Sequence, residues 1–84
     1  MKYSYCLVEE KLCSPWAGDY VTYGIEAWRQ ANSDWELAFF FSDICTDELF
    51  VKRLAERCTK GQLDPIHLPC VVEDALAQPE LFFR

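Results

Sequence analysis

Residues 20–42 read YVTYGIEAWRQANSDWELAFFFS, two stretches of alternating side chains around a short polar break. From Tyr20 to Arg29, an extended chain puts Val21, Tyr23, Ile25 and Ala27 on one side and Tyr20, Thr22, Gly24, Glu26 and Trp28 on the other. Alternation resumes at Trp35, where Trp35, Leu37, Phe39 and Phe41 oppose Glu36, Ala38, Phe40 and Ser42 and are expected to form a clean buried face. Gln30-Ala31-Asn32-Ser33-Asp34 between them is rich in side chains that bond their own backbone in turns, so the two strands are expected to form a hairpin. Gly24 inside the first stretch marks a bulge or a close approach of another backbone.

Upstream, Tyr3, Tyr5 and Leu7 alternate with Ser4, Cys6 and Val8 in a first strand that is expected to end at Glu9-Glu10-Lys11. Pro15 and Gly18 interrupt the segment Cys13–Asp19 and leave Trp16 on a loop. Downstream the period changes. Thr46 is the expected helix cap, with Asp47 and Glu48 in a first turn where carboxylates favour the positive end of the helix dipole. Phe50, Val51, Leu54, Ala55 and Cys58 then recur as one apolar stripe, and Lys60 and Gly61 supply a last-turn cation and a left-handed stop. Pro69 opens a second helix with Val71, Val72, Ala75 and Leu76 as its buried side, and Pro79 ends it. The expected fold is α+β: a three-stranded antiparallel sheet followed by two helices packed on one face, in a single domain over residues 1–84 with 79–84 as a short tail.

Composition bounds the function. The chain has 84 residues, enough for one small core, and its 51% hydrophobic content separates it from disordered chains. Eight basic against 14 acidic residues give a net charge of −6, which disfavours direct binding to nucleic acid or to an anionic membrane. No apolar run approaches the roughly 20 residues that span a bilayer, and Tyr3–Val8 is too short and polar for an export signal, so no membrane association is expected. Five cysteines, an odd number, argue against a secreted disulfide scaffold and for a reducing, cytoplasmic setting.

Thr22-Tyr23-Gly24-Ile25, the run Phe41-Ser42-Asp43-Ile44-Cys45-Thr46-Asp47, the segment Gln62–Leu68 and the block Val71-Val72-Glu73-Asp74-Ala75-Leu76 together resemble a family of small bacterial proteins known only as a domain of unknown function, found mainly in anaerobic Gram-positive bacteria. The resemblance spans residues ~20–77, within the length of a normal single domain. It implies a cytoplasmic α+β domain and no established activity.

The chemical constellations are weak. Structural zinc sites pair ligands a few residues apart, and there is no such cysteine pair; His67 and Cys70 are the one close combination, and Cys58 reads as a small core residue. His67 is the only histidine and is expected to bond the turn after Asp64-Pro65 rather than to activate Cys45 or Cys70. Glu73 and Asp74 are sequence neighbours that do not face each other on a helix, so they read as a solvated acidic face, and Asp43, Asp47 and Glu48 read as helix-start carboxylates. No catalytic, cofactor-binding or metal-binding residue is assigned, and no cofactor is expected.

What remains is surface. The outer sheet face, with Tyr20, Trp28 and Phe40, has no element to cover it, and uncovered aromatic patches on small domains are usually contact surfaces. With Trp16, Phe82 and Phe83 as further aromatic anchors and Glu73 and Asp74 as an acidic complement to a basic partner, the expected function is a non-enzymatic protein-interaction module, an inhibitor or regulatory adaptor of bacterial or phage origin, with a homo-oligomer as a further use of the sheet. The alternative is a small-ligand-binding or sequestering protein with a pocket at an oligomer interface.

Overall fold

A computed structural model describes residues 2–82, with side chains through Glu80. Three long strands, β1 (Lys2–Ser14), β2 (Gly18–Ala31) and β3 (Asp34–Cys45), form an antiparallel sheet in the order β1-β2-β3. Helix α1 (Glu48–Lys60), a 3-10 turn (Pro65–His67), α2 (Leu68–Ala77) and a single-turn helix α3 (Pro79–Phe82) follow. The α+β arrangement of a meander and then helices is the one expected.

Strand β1 does not stop at Glu9-Glu10-Lys11 but runs unbroken to Ser14, paired with β2 to the end. Only Pro15, Trp16 and Ala17 form the connection. Ser14 Oγ accepts from the Trp16 and Ala17 N–H groups (3.2 and 3.4 Å), and Gly18 closes the turn at φ 72°. The charged cluster does not end the strand, because β2 pairs with its backbone through to Ser14. The second connection shrinks to Asn32-Ser33, whose φ values of 51° and 74° have the signs that a tight hairpin turn of the twist-matching kind demands.

One face of the sheet is covered. Tyr5, Ile25 and Ala27 meet Val51, Leu54, Ala55 and Cys58 of α1 and Leu68, Val72 and Ala75 of α2 in one core. Leu76, expected inside, is exposed, and Leu68 takes its place because α2 begins one residue before Pro69. Asp47 rather than Thr46 caps α1, accepting from Phe50 N–H at 3.2 Å. Gly61 keeps a right-handed φ of −83°, and the left-handed residue is Gln62 at φ 50°.

That shift gives Gln62 a task. Its side-chain amide lies along β1, accepting from Tyr3 N–H (2.9 Å) and donating to Tyr3 C=O (3.0 Å), as a neighbouring strand would. Thr59 Oγ1 does the same one step on, accepting from Tyr5 N–H at 2.9 Å. The Tyr5 hydroxyl donates to the Leu63 carbonyl. The C-terminal end of α1 is therefore stitched to the beginning of β1, and the edge of the sheet is closed there.

Strand β3 departs from the expected pattern. Trp35, Leu37 and Phe39 are exposed, not buried. Two causes act. The core is built over β1 and β2, so the helices reach β3 only around Phe41 and Ile44. In addition, Phe39 pairs with Ala27 but Leu37 pairs with Trp28, which leaves Ala38 as an extra residue, a bulge. Because directly opposed residues share a face, the bulge turns Leu37 and Trp35 onto the face of Trp28 and Gln30, away from the helices.

A second irregularity places Ser42, Asp43 and Ile44 opposite Gly24, with Asp43 at φ 51°. A Cβ on Gly24 would lie 2.4 Å from the Phe41 carbonyl oxygen, so this strand crossing tolerates no side chain. Gly24→Ala is expected to destabilise the protein by about 2 kcal/mol in urea unfolding, the range of an overpacked site that must shift backbone; a change within experimental error would show that the crossing is loose.

Candidate functional site

The face opposite the helices carries its side chains in cross-strand rows. Gln30 stands opposite Trp35, Ser4 and Leu37 flank Trp28, Cys6 and Phe40 flank Glu26, and Val8 lies beside Gly24. Toward the β1–β2 hairpin the rows become Glu10–Thr22 and Leu12–Tyr20. The surface therefore has two halves. One is apolar and aromatic, with Trp35 46%, Leu37 50% and Phe40 41% exposed and Trp28 half-buried between them. Glu26 is set in it, between Cys6 and Phe40, and makes no ion pair within the described residues.

The other half is a closed polar cluster. Glu10 reaches across the side-chain-free position at Gly24 to β3, where its carboxylate accepts from Ser42 Oγ and from the Asp43 N–H, both at 2.7 Å. Asp43 in turn accepts from Thr22 Oγ1 at 2.6 Å. Thr22 points to the outer face and is nonetheless buried, because the β3 bulge folds over it. The Tyr20 hydroxyl is held above the usual phenol range by desolvation, then by the charge and hydrogen bond of Asp43 and the charge of Glu10. Both carboxylates are committed to pinning the bulge. Asp43, expected at the helix start, serves this strand crossing instead, and Glu10, expected to end β1, holds the crossing from within the strand; the residue in the sequence that points here is Gly24.

The expected partner-binding residues fall in separate places. Tyr20, Trp28 and Phe40 share the outer face, and the bulge adds Trp35 and Leu37 to them, which strict alternation could not foresee. Trp16 stands alone at the hairpin tip, 95% exposed. Glu73 and Asp74 are exposed on α2, in the layer on the other side of the sheet, so they do not continue the aromatic patch. The side chains of Phe82 and Phe83 lie outside the described residues.

The thiols do not assemble. Cys58 is buried in the core, whereas Cys6, Cys13 and Cys70 are exposed and Cys45 is intermediate. Among the described residues no three metal-ligating side chains come together. His67 is exposed and makes no side-chain cap bond; the turn is held by Asp64 Oδ1, which accepts from Ile66 N–H at 3.1 Å. Among the described residues are open depressions, such as one of about 690 Å³ over the charged α1 side chains Arg53, Glu56, Arg57 and Lys60.

Residues 1–78 match the model of a family described as "Family of unknown function (DUF6514)". The chain belongs to this family. None of the curated proteins and none of the solved structures matches it. Among the described residues of this DUF6514 member, no helix is long and apolar enough to cross a membrane.

Burial pushes the Cys58 thiol up to about 11 from an ordinary value of 9.0. The folded state therefore keeps a proton that the unfolded chain sheds: the stabilisation is complete below about pH 9 and is lost as pH rises toward 11. In urea unfolding, wild-type stability is expected to fall between pH 8 and pH 10 by about 1 kcal/mol more than that of Cys58→Ala. Equal losses would mean that Cys58 is accessible to water.

Proposed function

We propose that this chain is a non-enzymatic protein-interaction module, an inhibitor or regulatory adaptor of the reducing cytoplasm, that receives a protein partner on the outer face of its sheet. The observation that carries the reading is the bulge at Ala38. Without it, Trp35 and Leu37 would lie on the helix-covered side; with it, they join Trp28 and Phe40 on the uncovered one. Aromatic side chains held on a strand lose little freedom when a partner covers them, which is why such residues dominate the energetics of interfaces.

The position of Glu26 adds selectivity. A carboxylate ringed by apolar groups is costly to cover without a counter-charge, so the fitting partner brings a basic side chain into an otherwise apolar contact. The acidic balance of the whole chain works in the same direction, by steering a basic partner toward it. An interaction module is favoured over a small-ligand carrier because the aromatic side chains spread over a sheet face instead of lining a concave space.

A photo-crosslinking residue placed at Phe40 is expected to trap a protein of discrete mass in lysate of the natural host, and the same residue at Glu56 on α1 to trap none. Leu37→Glu should abolish the Phe40 crosslink while leaving the far-UV circular dichroism unchanged. Equal crosslinking from both positions, or none from Phe40, would contradict the reading.

A further inference from the structure

Strand β1 is an edge strand in two sections. Tyr3 and Tyr5 turn their N–H and C=O groups away from β2 and spend them on Gln62 and Thr59. By the alternation of an extended chain, Leu7, Glu9, Lys11 and Cys13 direct theirs the same way. α1 meets β1 at Thr59 and reaches Tyr23 of β2 at its other end, Glu48, and no side chain of the described residues takes up the groups from Leu7 to Cys13. The open section is bounded on one side by the Gln62–Thr59 closure and on the other by the Pro15 turn.

We propose that the open edge from Leu7 to Cys13 pairs antiparallel with the same segment of a second copy, about a twofold axis through Glu10. The side chains select this register. Glu9 comes opposite Lys11 of the second copy, and by symmetry Lys11 comes opposite Glu9; neither forms an ion pair among the described residues of its own chain. On the outer face, Val8 meets Leu12 of the second copy, and again by symmetry. Leu7 and Cys13, like Glu9 and Lys11, then stand as hydrogen-bonded pairs that exchange both N–H···O bonds. Sliding the strands so that Glu9 lies on the axis puts two Glu9 carboxylates face to face, and centring on Lys11 does the same to two ammonium groups.

The residue on the axis is the apparent obstacle, because two Glu10 side chains would oppose each other. The fold removes it. Each Glu10 is drawn across Gly24 to Ser42 and Asp43 on β3, away from the β1 edge. Joining two three-stranded sheets in this way makes one continuous six-stranded sheet. Even-numbered residues meet even-numbered ones, so both outer aromatic faces lie on the same side and form a doubled surface. The pairing uses the strand edge rather than that face and stands independently of the partner proposed above.

Sedimentation of the full chain in reductant across the micromolar range tests the proposal. The wild type is expected to show a monomer–dimer equilibrium. Glu9→Lys and Lys11→Glu, each creating two like-charge contacts, should weaken it about tenfold, and the double exchange Glu9→Lys/Lys11→Glu should restore it. Restoration in the double variant shows that the single variants did not simply misfold. Val8→Cys/Leu12→Cys, with Cys6 and Cys13 replaced by serine, should form an intermolecular 8–12 disulfide on mild oxidation, since non-hydrogen-bonded pairs approach to the distance such a bond needs. A wild type that stays monomeric overturns the proposal. So does a dimer indifferent to the charge reversals, or a disulfide map without the 8–12 bond.

Discussion

A sheet has two faces, and the helices that follow this meander cover one of them. That constraint organises the rest of the molecule. Tyr5, Ile25 and Ala27 set the covered side, and α1 and α2 place every one of their buried residues against it. The layer is anchored by polar stitches as well as by apolar contact: Gln62 and Thr59 hold the start of β1, and the Tyr5 hydroxyl holds the Leu63 carbonyl. These bonds also fix where the helical layer ends. Beyond Leu7 on β1, and before Phe39 on β3, no element of the described residues packs on the sheet.

The uncovered side is as specifically built as the covered one. Gly24 lets Glu10 reach β3, Glu10 and Thr22 pin the bulge that carries Asp43, and the bulge at Ala38 rotates Trp35 and Leu37 into line with Trp28 and Phe40. Irregularities of this kind re-aim side chains.

The class of fold was legible because period-two and period-3.6 patterns are local properties of the chain. The helical stripe Val51, Leu54, Ala55 and Cys58 and the proline start of α2 are of that kind. Gly24 also declared itself, since a glycine in a strand has few reasons to be there. What the pattern could not give was anything dependent on the count of residues between two distant strands. One extra residue at Ala38 inverts the orientation of everything before it in β3, and no local signal distinguishes Ala38 from its neighbours. For the same reason the aromatic face is half visible in the sequence, through Tyr20, Trp28 and Phe40, while strict alternation places Trp35 and Leu37 in the core. Glu10 and Asp43 look like ordinary surface carboxylates until the sheet brings them together.

The account rests on the outer face being open in the isolated chain. Relaxation of side-chain protons by a water-soluble gadolinium chelate, measured by NMR, tests this most directly. The Leu37 methyls and the Phe40 ring should relax nearly as strongly as the Trp16 indole at the hairpin tip, while Ile25, Leu54 and Leu68 should be almost untouched. Protection of Leu37 and Phe40 equal to that of Ile25 would mean that the chain covers this face itself, and would contradict the proposed interaction surface.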